Sequence, residues 1–146
     1  MGRVYNNRTL TAVEVPKLPS PILLCATRPD FGKAIVDAGY QTLSFNLPFA
    51  QLLQGIPESD IRSLIIDEIR GVLPQSKPTY LIDYEMLFDP RYELDVFKLF
   101  IDLSRWSRLI VKWCGRIEGE TLVYAEPGYD DYSIYRISDY DISFVL

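Results

Sequence analysis

An α/β fold is what this 146-residue sequence predicts: a parallel sheet flanked by helices, with a β-rich antiparallel C-terminal end. Three observations carry that expectation. Short, wholly apolar runs in "PILLCAT", "PTYLI" and "RLIVKWCG" read as strands covered on both faces. Segments of helical periodicity alternate with them, the mark of crossover connections between parallel strands. After Gly115 the pattern changes to short alternating segments separated by turns.

Taken in order, residues 1–21 hold polar clusters and Pro16, Pro19 and Pro21, and predict a loosely attached N-terminal arm with little regular structure. A single domain is expected over residues 22–146. "PILLCAT" opens it as a strand, and "FGKAIVDAG" gives about two helical turns closed by Gly39. "QTLSFNL" reads as a second strand ending at Pro48, and "PFAQLLQG" as a turn or two of helix. "ESDIRSLIIDEIRGVL" is the clearest helix, with Ser59 or Asp60 as its cap and Ile61, Leu64, Ile65, Ile69 and Leu73 near i, i+3, i+4 spacing. "PTYLIDYEMLFDP" reads as an apolar strand ending in acidic residues. "ELDVFKLFIDLSRW" is a second amphipathic helix, with Leu94, Phe97, Phe100, Ile101 and Leu103 inward. "RIEGETLVYA" predicts a hairpin turned at Glu118-Gly119, and "YSIYRIS" and "DISFVL" supply the last strands.

Composition narrows the function. A net charge of −5 argues against broad electrostatic binding of nucleic acid. A basic cluster (Lys98, Arg105, Arg108, Lys112 and Arg116, with Arg70 able to join) keeps a nucleic-acid accessory role as a secondary reading. No run approaches the roughly 20 apolar residues of a membrane span, the N-terminus lacks an apolar signal region, and a cytoplasmic location is expected. The sequence has no histidine, which closes Ser-His and Cys-His chemistry. Cys25 and Cys114, the two cysteines, lack the spacing of a zinc site.

The chemistry-bearing stretch is "ILLCATRPDFGKAI", where an apolar strand runs into a polar turn ending at Gly32-Lys33. These occupy two of the marked positions of G-x-x-x-x-G-K-[ST], whose backbone N–H groups and Lys hold phosphates while its hydroxyl holds Mg²⁺. Thr27 replaces the first glycine, Ala34 replaces the hydroxyl, and Pro29 removes one N–H. From the residues alone this is a nucleotide site, a site that has lost its chemistry, or a plain strand and turn. "YLIDYE" adds Asp83 as a candidate metal ligand, and Glu85, expected on the same strand face, as a candidate catalytic carboxylate. Arg116, at the end of a strand, is a candidate γ-phosphate sensor against the plainer reading of a surface charge. In the usual additional-strand P-loop order, the strand leading to Cys114 would lie beside the one leading to Cys25. The tail "YAEPGYDDYSIYRISDYD" interleaves tyrosines with acids and offers Tyr124, Tyr129 and Tyr132 as interaction residues.

The order of these pieces resembles the BrxF family, the small P-loop-containing proteins of bacteriophage-exclusion (BREX) phage-defence systems. The resemblance spans roughly residues 22–135. It is most specific at residues 108–132, with a Trp-x-Gly turn, a short hairpin and Tyr124-Ala125-Glu126-Pro127-Gly128, and next at Asp83, Glu85 and Leu87-Phe88-Asp89-Pro90. It implies a P-loop NTPase-like fold, work beside other defence-system proteins and, where the P-loop is intact, ATP binding. The departures at Thr27 and Ala34 fall on the residues that do phosphate and metal chemistry. The expected function is therefore a non-catalytic, P-loop-like component acting through protein–protein contacts, with no cofactor. The alternative is a nucleotide-binding switch or slow ATPase that uses ATP and Mg²⁺ through Lys33 and Asp83.

Overall fold

The computed structural model describes residues 1–74 and 76–146. Its strands are β1 (Arg3–Tyr5), β2 (Ile22–Leu24), β3 (Gln41–Ser44), β4 (Thr79–Ile82), β5 (Leu109–Lys112), β6 (Arg116–Glu118), β7 (Thr121–Tyr124), β8 (Ser133–Arg136) and β9 (Ser143–Val145). The α-helices are α1 (Pro29–Asp37), α2 (Asn46–Leu53), α3 (Glu58–Val72) and α4 (Val96–Leu103). Short 3-10 helices cover Ala12–Lys17, Glu85–Phe88, Pro90–Tyr92 and Ile137–Asp139.

Six strands form one parallel sheet in the order β1-β9-β2-β5-β4-β3, and β6-β7-β8 form a separate antiparallel sheet. The strand leading to Cys114 pairs directly with the one leading to Cys25, Ile22 opposite Ile110 and Leu24 opposite Lys112. Alternation along the central strands divides the core. Leu23, Leu81, Val111 and Phe144 face α2, α3, α4 and the small sheet, whereas Ile22, Leu24, Ile110 and Val145 face α1 and the 12–17 helix. Two buried faces explain the unbroken apolar runs in the sequence.

Aromatic side chains join the two sheets. Phe97 of α4 lies flat on Tyr135 of β8 at 4.1 Å, meets Trp113 edge-on at 5.4 Å, and touches Phe144 of β9 at 6.1 Å. Asp95 caps α4, accepting from the Lys98 N–H at 3.1 Å and from the Tyr140 hydroxyl at 2.9 Å.

Four expectations need correction. The N-terminal segment is not loosely attached: β1 extends the main sheet, and Leu10, Val15 and Leu18 are buried against Ile22, Ile35 and Ile110. Arg108 fastens it, donating to the Tyr40 hydroxyl at 3.0 Å and to the carbonyls of Pro16 (2.9 Å) and Leu18. The final strand, β9, does not prolong the antiparallel end but returns to the parallel sheet between β1 and β2. The strand in "PTYLIDYEMLFDP" stops at Ile82, and two 3-10 turns follow. The N-cap of α3 is Pro57, two residues ahead of Ser59 and three ahead of Asp60.

Candidate functional site

In open parallel sheets ligands gather beyond the carboxyl ends of the strands. Here that rim carries Cys25 after β2, Asp83 after β4, Cys114 after β5, and Ser44 at the end of β3. Asp83 adopts a left-handed backbone (φ +50), a conformation that short polar side chains tolerate. The kink ends β4 and turns the chain into the 85–88 helix. Asp83 accepts from the Ser44 hydroxyl at 2.6 Å, while its carbonyl accepts the Asn46 N–H at 2.7 Å. Asn46 then donates to Glu85 at 2.8 Å and accepts the Met86 N–H at 3.1 Å. Asp83 follows the end of β4 and Glu85 opens the 85–88 helix, so the two do not share a strand face.

The expected phosphate turn is replaced by helix. The loop after β2 spans only Cys25 to Arg28, and α1 starts at Pro29, so Gly32 and Lys33 sit inside the helix and not at the end of a turn. Arg28 closes the entrance. Its guanidinium donates to Asp30 at 2.6 and 2.9 Å and to the carbonyls of Asn7 (2.9 Å) and Leu10 (2.8 Å), which ties the N-terminal segment across the start of α1. That ion pair holds the Asp30 carboxyl below its ordinary value. Lys33 lines a groove between α1 and the 12–17 helix, with Ala34, Ala38 and Tyr40. No group of three or more Cys, Asp or Glu side chains among the described residues is placed to hold a metal ion. Gly32 and Lys33 thus lie within α1, and Asp83 at the far end of β4.

Gly32 supplies a test of that placement. A Cβ added there would meet nothing within 4 Å, and φ is not in the left-handed region. Gly32→Ala is therefore expected to stabilise the protein by about 0.5–1 kcal/mol, as glycine-to-alanine changes in helix interiors do. Chemical denaturation measures it; a loss of stability would show that the glycine serves a constrained turn.

Arg116, offered by the sequence as a γ-phosphate sensor or a surface charge, is engaged within the small sheet and the chain that follows it. It donates to the Ala125 carbonyl at 2.6 Å, to Glu118 at 3.0 Å and to Glu126 at 3.2 Å, locking the β6–β7 hairpin to the chain that leaves it. The tyrosines separate into two roles. Tyr124 is stacked on Phe88 at 3.8 Å and 6°, so it holds the small sheet on the core. Tyr129 is 69% exposed, and the half-buried Tyr132 donates its backbone N–H to the Tyr129 carbonyl.

Glu85 and Tyr129 meet in one open groove of about 830 Å³, lined also by Asn46, Met86, Asp89 and Arg91 and walled by Gly128, Asp130 and Asp131. Arg91 forks onto Asp89 (2.7 and 3.1 Å), holding that carboxyl below its ordinary value, and reaches Glu58 at 3.3 Å. Glu85, Asp130 and Asp131 leave the groove acidic. Glu85, a candidate catalytic carboxylate in the sequence, and Tyr129, a candidate interaction residue, are brought together by the 83–88 turn. Its signal was present, since Tyr84, Leu87 and Phe88 are buried at i, i+3, i+4 spacing.

The two thiols are partly buried and pack against the core. Burial pushes Cys25 up to about 12 and Cys114 up to about 11, from an ordinary value of 9.0. Folding thus favours the protonated thiols: this stability is complete below about pH 9 and is lost as pH rises through the folded values. At pH 8 the thiolate fraction of Cys114 should be about 100-fold below that of a free thiol. Labelling by a disulfide reagent should be slow in buffer and fast in denaturant; rapid labelling of the native protein would contradict the burial.

No helix among the described residues is long and apolar enough to cross a membrane. Neither a family model, nor a curated protein, nor a solved structure matches this chain.

Proposed function

We propose that this protein is a non-catalytic, P-loop-like α/β component of a bacterial phage-defence assembly of the BREX kind, acting through protein–protein contacts. The observation that carries the reading is the contrast between strand order and turn. β2 is flanked by β5 and β9, with β4 and then β3 beyond β5, which is the additional-strand P-loop order. Yet the turn after β2 is short, runs into Pro29 and is covered by Arg28 and the N-terminal segment. Architecture kept without its phosphate-binding backbone supports a scaffold role over ATP turnover.

The groove holding Glu85 and Tyr129 is the contact surface in this reading, because an exposed tyrosine gives large contact area at low entropy cost. The basic cluster favours no nucleic-acid role. Arg108 and Lys112 stand at opposite ends of β5, Arg116 is engaged by acids, and Arg105 pairs with Asp102. The reading is tested by phage plating on a host whose defence depends on this chain. Tyr129→Ala should lower protection while Lys33→Ala keeps it; the opposite pattern would favour the nucleotide switch.

A further inference from the structure

β8 is an outer strand of the small sheet, and its open edge leads to the groove at Tyr129. It pairs antiparallel with β7, Ser133 opposite Tyr124 and Arg136 opposite Thr121. The Ile137 N–H, next in register, donates to the Glu120 carbonyl at 3.0 Å. Backbone groups alternate in direction along a strand, so Ser133 and Tyr135 turn theirs to β7 while Ile134 and Arg136 turn theirs outward. Among the described residues, no backbone group bonds to these outward groups. β8 has neither the lysine nor the proline with which sheets blunt open edges, and Ile134 is 53% exposed on it. Such an edge is completed by an extended backbone.

The edge and the groove are joined. The Ser133 hydroxyl donates to the Asp131 carbonyl at 3.1 Å, which holds the 128–131 wall of the groove at the amino end of β8. Tyr124, the register partner of Ser133, stacks on Phe88 in the groove lining. A strand added along β8 and continued past Ser133 therefore runs to the groove. Charge there selects its side chains. Asp89 is paired with Arg91, whereas Glu85, Asp130 and Asp131 make no ion pair with a described residue. The exposed Tyr129 ring offers a face on which a guanidinium stacks. Arg136 puts a positive charge at the other end of β8. The edge thus runs from acidic to basic, and antiparallel addition brings the carboxyl end of an incoming strand to the acidic end.

We propose that β8 accepts an extended segment of a partner protein as a fourth, antiparallel strand, with an arginine near the carboxyl end of that segment seated in the groove against Tyr129, Glu85 and Asp131. This occupant rests on the groove being the contact surface of the assembly.

The probe is a short end-blocked peptide of alternating threonine and valine that finishes in a pair of arginines, titrated into the full chain and followed by backbone amide NMR. Saturable shifts are expected at Tyr129, Asp131, Ile134 and Arg136. Methylating the peptide nitrogens that face β8 should weaken binding at least about 10-fold, because the bonds of the added strand are lost. Glutamates in place of its arginines should abolish binding. Tyr129→Ala and Asp131→Asn should each weaken it about 2–5-fold. Ile134→Pro removes one outward N–H where an edge strand tolerates proline, and should weaken it about 10-fold; should that variant not fold, the methylated peptide tests the same bonds on the wild-type chain. Absence of saturable shifts at millimolar peptide, shifts centred away from β8, or equal binding of the methylated peptide would overturn the proposal. Phage plating separates it from the defence role. Peptide binding alongside full protection by Tyr129→Ala would remove the defence reading and leave the strand site standing. Protection lost in Tyr129→Ala without peptide binding would remove the strand site alone.

Discussion

Phe97→Ala is expected to cost about 3–5 kcal/mol, the usual range for emptying an aromatic site in a close-packed core. The side chain is fully buried and sits where three elements meet. It lies flat on Tyr135 of the small sheet, edge-on to Trp113 beyond β5, and beside Phe144 in the main sheet. Truncation removes the transfer energy of the ring and leaves a void that neighbours anchored on two different sheets cannot jointly close. For a chain of this length the midpoint of thermal unfolding should fall by roughly 10–20 °C. Phe97→Leu should recover a large part of the loss, because it keeps apolar volume. A fall of only a degree or two for the alanine variant would mean that the two sheets are joined some other way.

Gly115→Ala is the second large effect, and its cause is the reverse. A Cβ at this position would lie 2.1 Å from the Val123 carbonyl oxygen and 2.7 Å from the Trp113 ring. Neither neighbour is the loose end of a flexible side chain. Val123 is in the middle strand of the small sheet, and Trp113 is 7% exposed with its indole N–H donating to the Arg116 carbonyl at 3.1 Å. Inserting the methyl group forces β7 away from the exit of β5, at a cost of about 2–3 kcal/mol, the upper part of the overpacking range. Because the strain falls on the junction of the sheets, near-ultraviolet circular dichroism of Trp113 should change along with stability. A variant as stable as wild type would show that the close approach is not obligatory. The Trp-x-Gly turn thus has a reason independent of any ligand: the chain must pass from one sheet to the other without a side chain in between.

Much of this was legible in the sequence. β2, β4 and β5 announced themselves as apolar runs because both their faces are buried. α3 and α4 were legible because each buries one stripe, Ile65 and Ile69 in the first and Phe97, Phe100 and Leu103 in the second. The hairpin at Gly119 was fixed by a glycine at φ +62. What stayed hidden depends on contacts distant in sequence. Leu10, Val15 and Leu18 follow no period, since a 3-10 turn with Pro16 inside buries whichever residues meet α1. "ISFVL" reads the same whether its strand pairs with β8 or with β2, and only packing decides for β2. Gly32-Lys33 stands inside a helix where a turn was expected, a difference that motif spacing alone does not reveal. The helix that absorbs both residues starts at Pro29, a favoured first helical position, which marked the boundary three residues earlier. Arg28 gave no motif signal; its role emerges only when the carbonyls of Asn7 and Leu10 fold back onto it.

The central claim is that a P-loop-like sheet has lost its phosphate cradle. It is tested most directly by thermal unfolding of the full chain with Mg-ATP, with Mg-ADP, and with ATP in the absence of metal. A bound nucleotide at a hundred times its dissociation constant would stabilise the fold by about 2.7 kcal/mol, a shift of roughly 5–10 °C. The account predicts no shift with any of the three at millimolar concentration. A shift of several degrees that disappears in Lys33→Ala would contradict it.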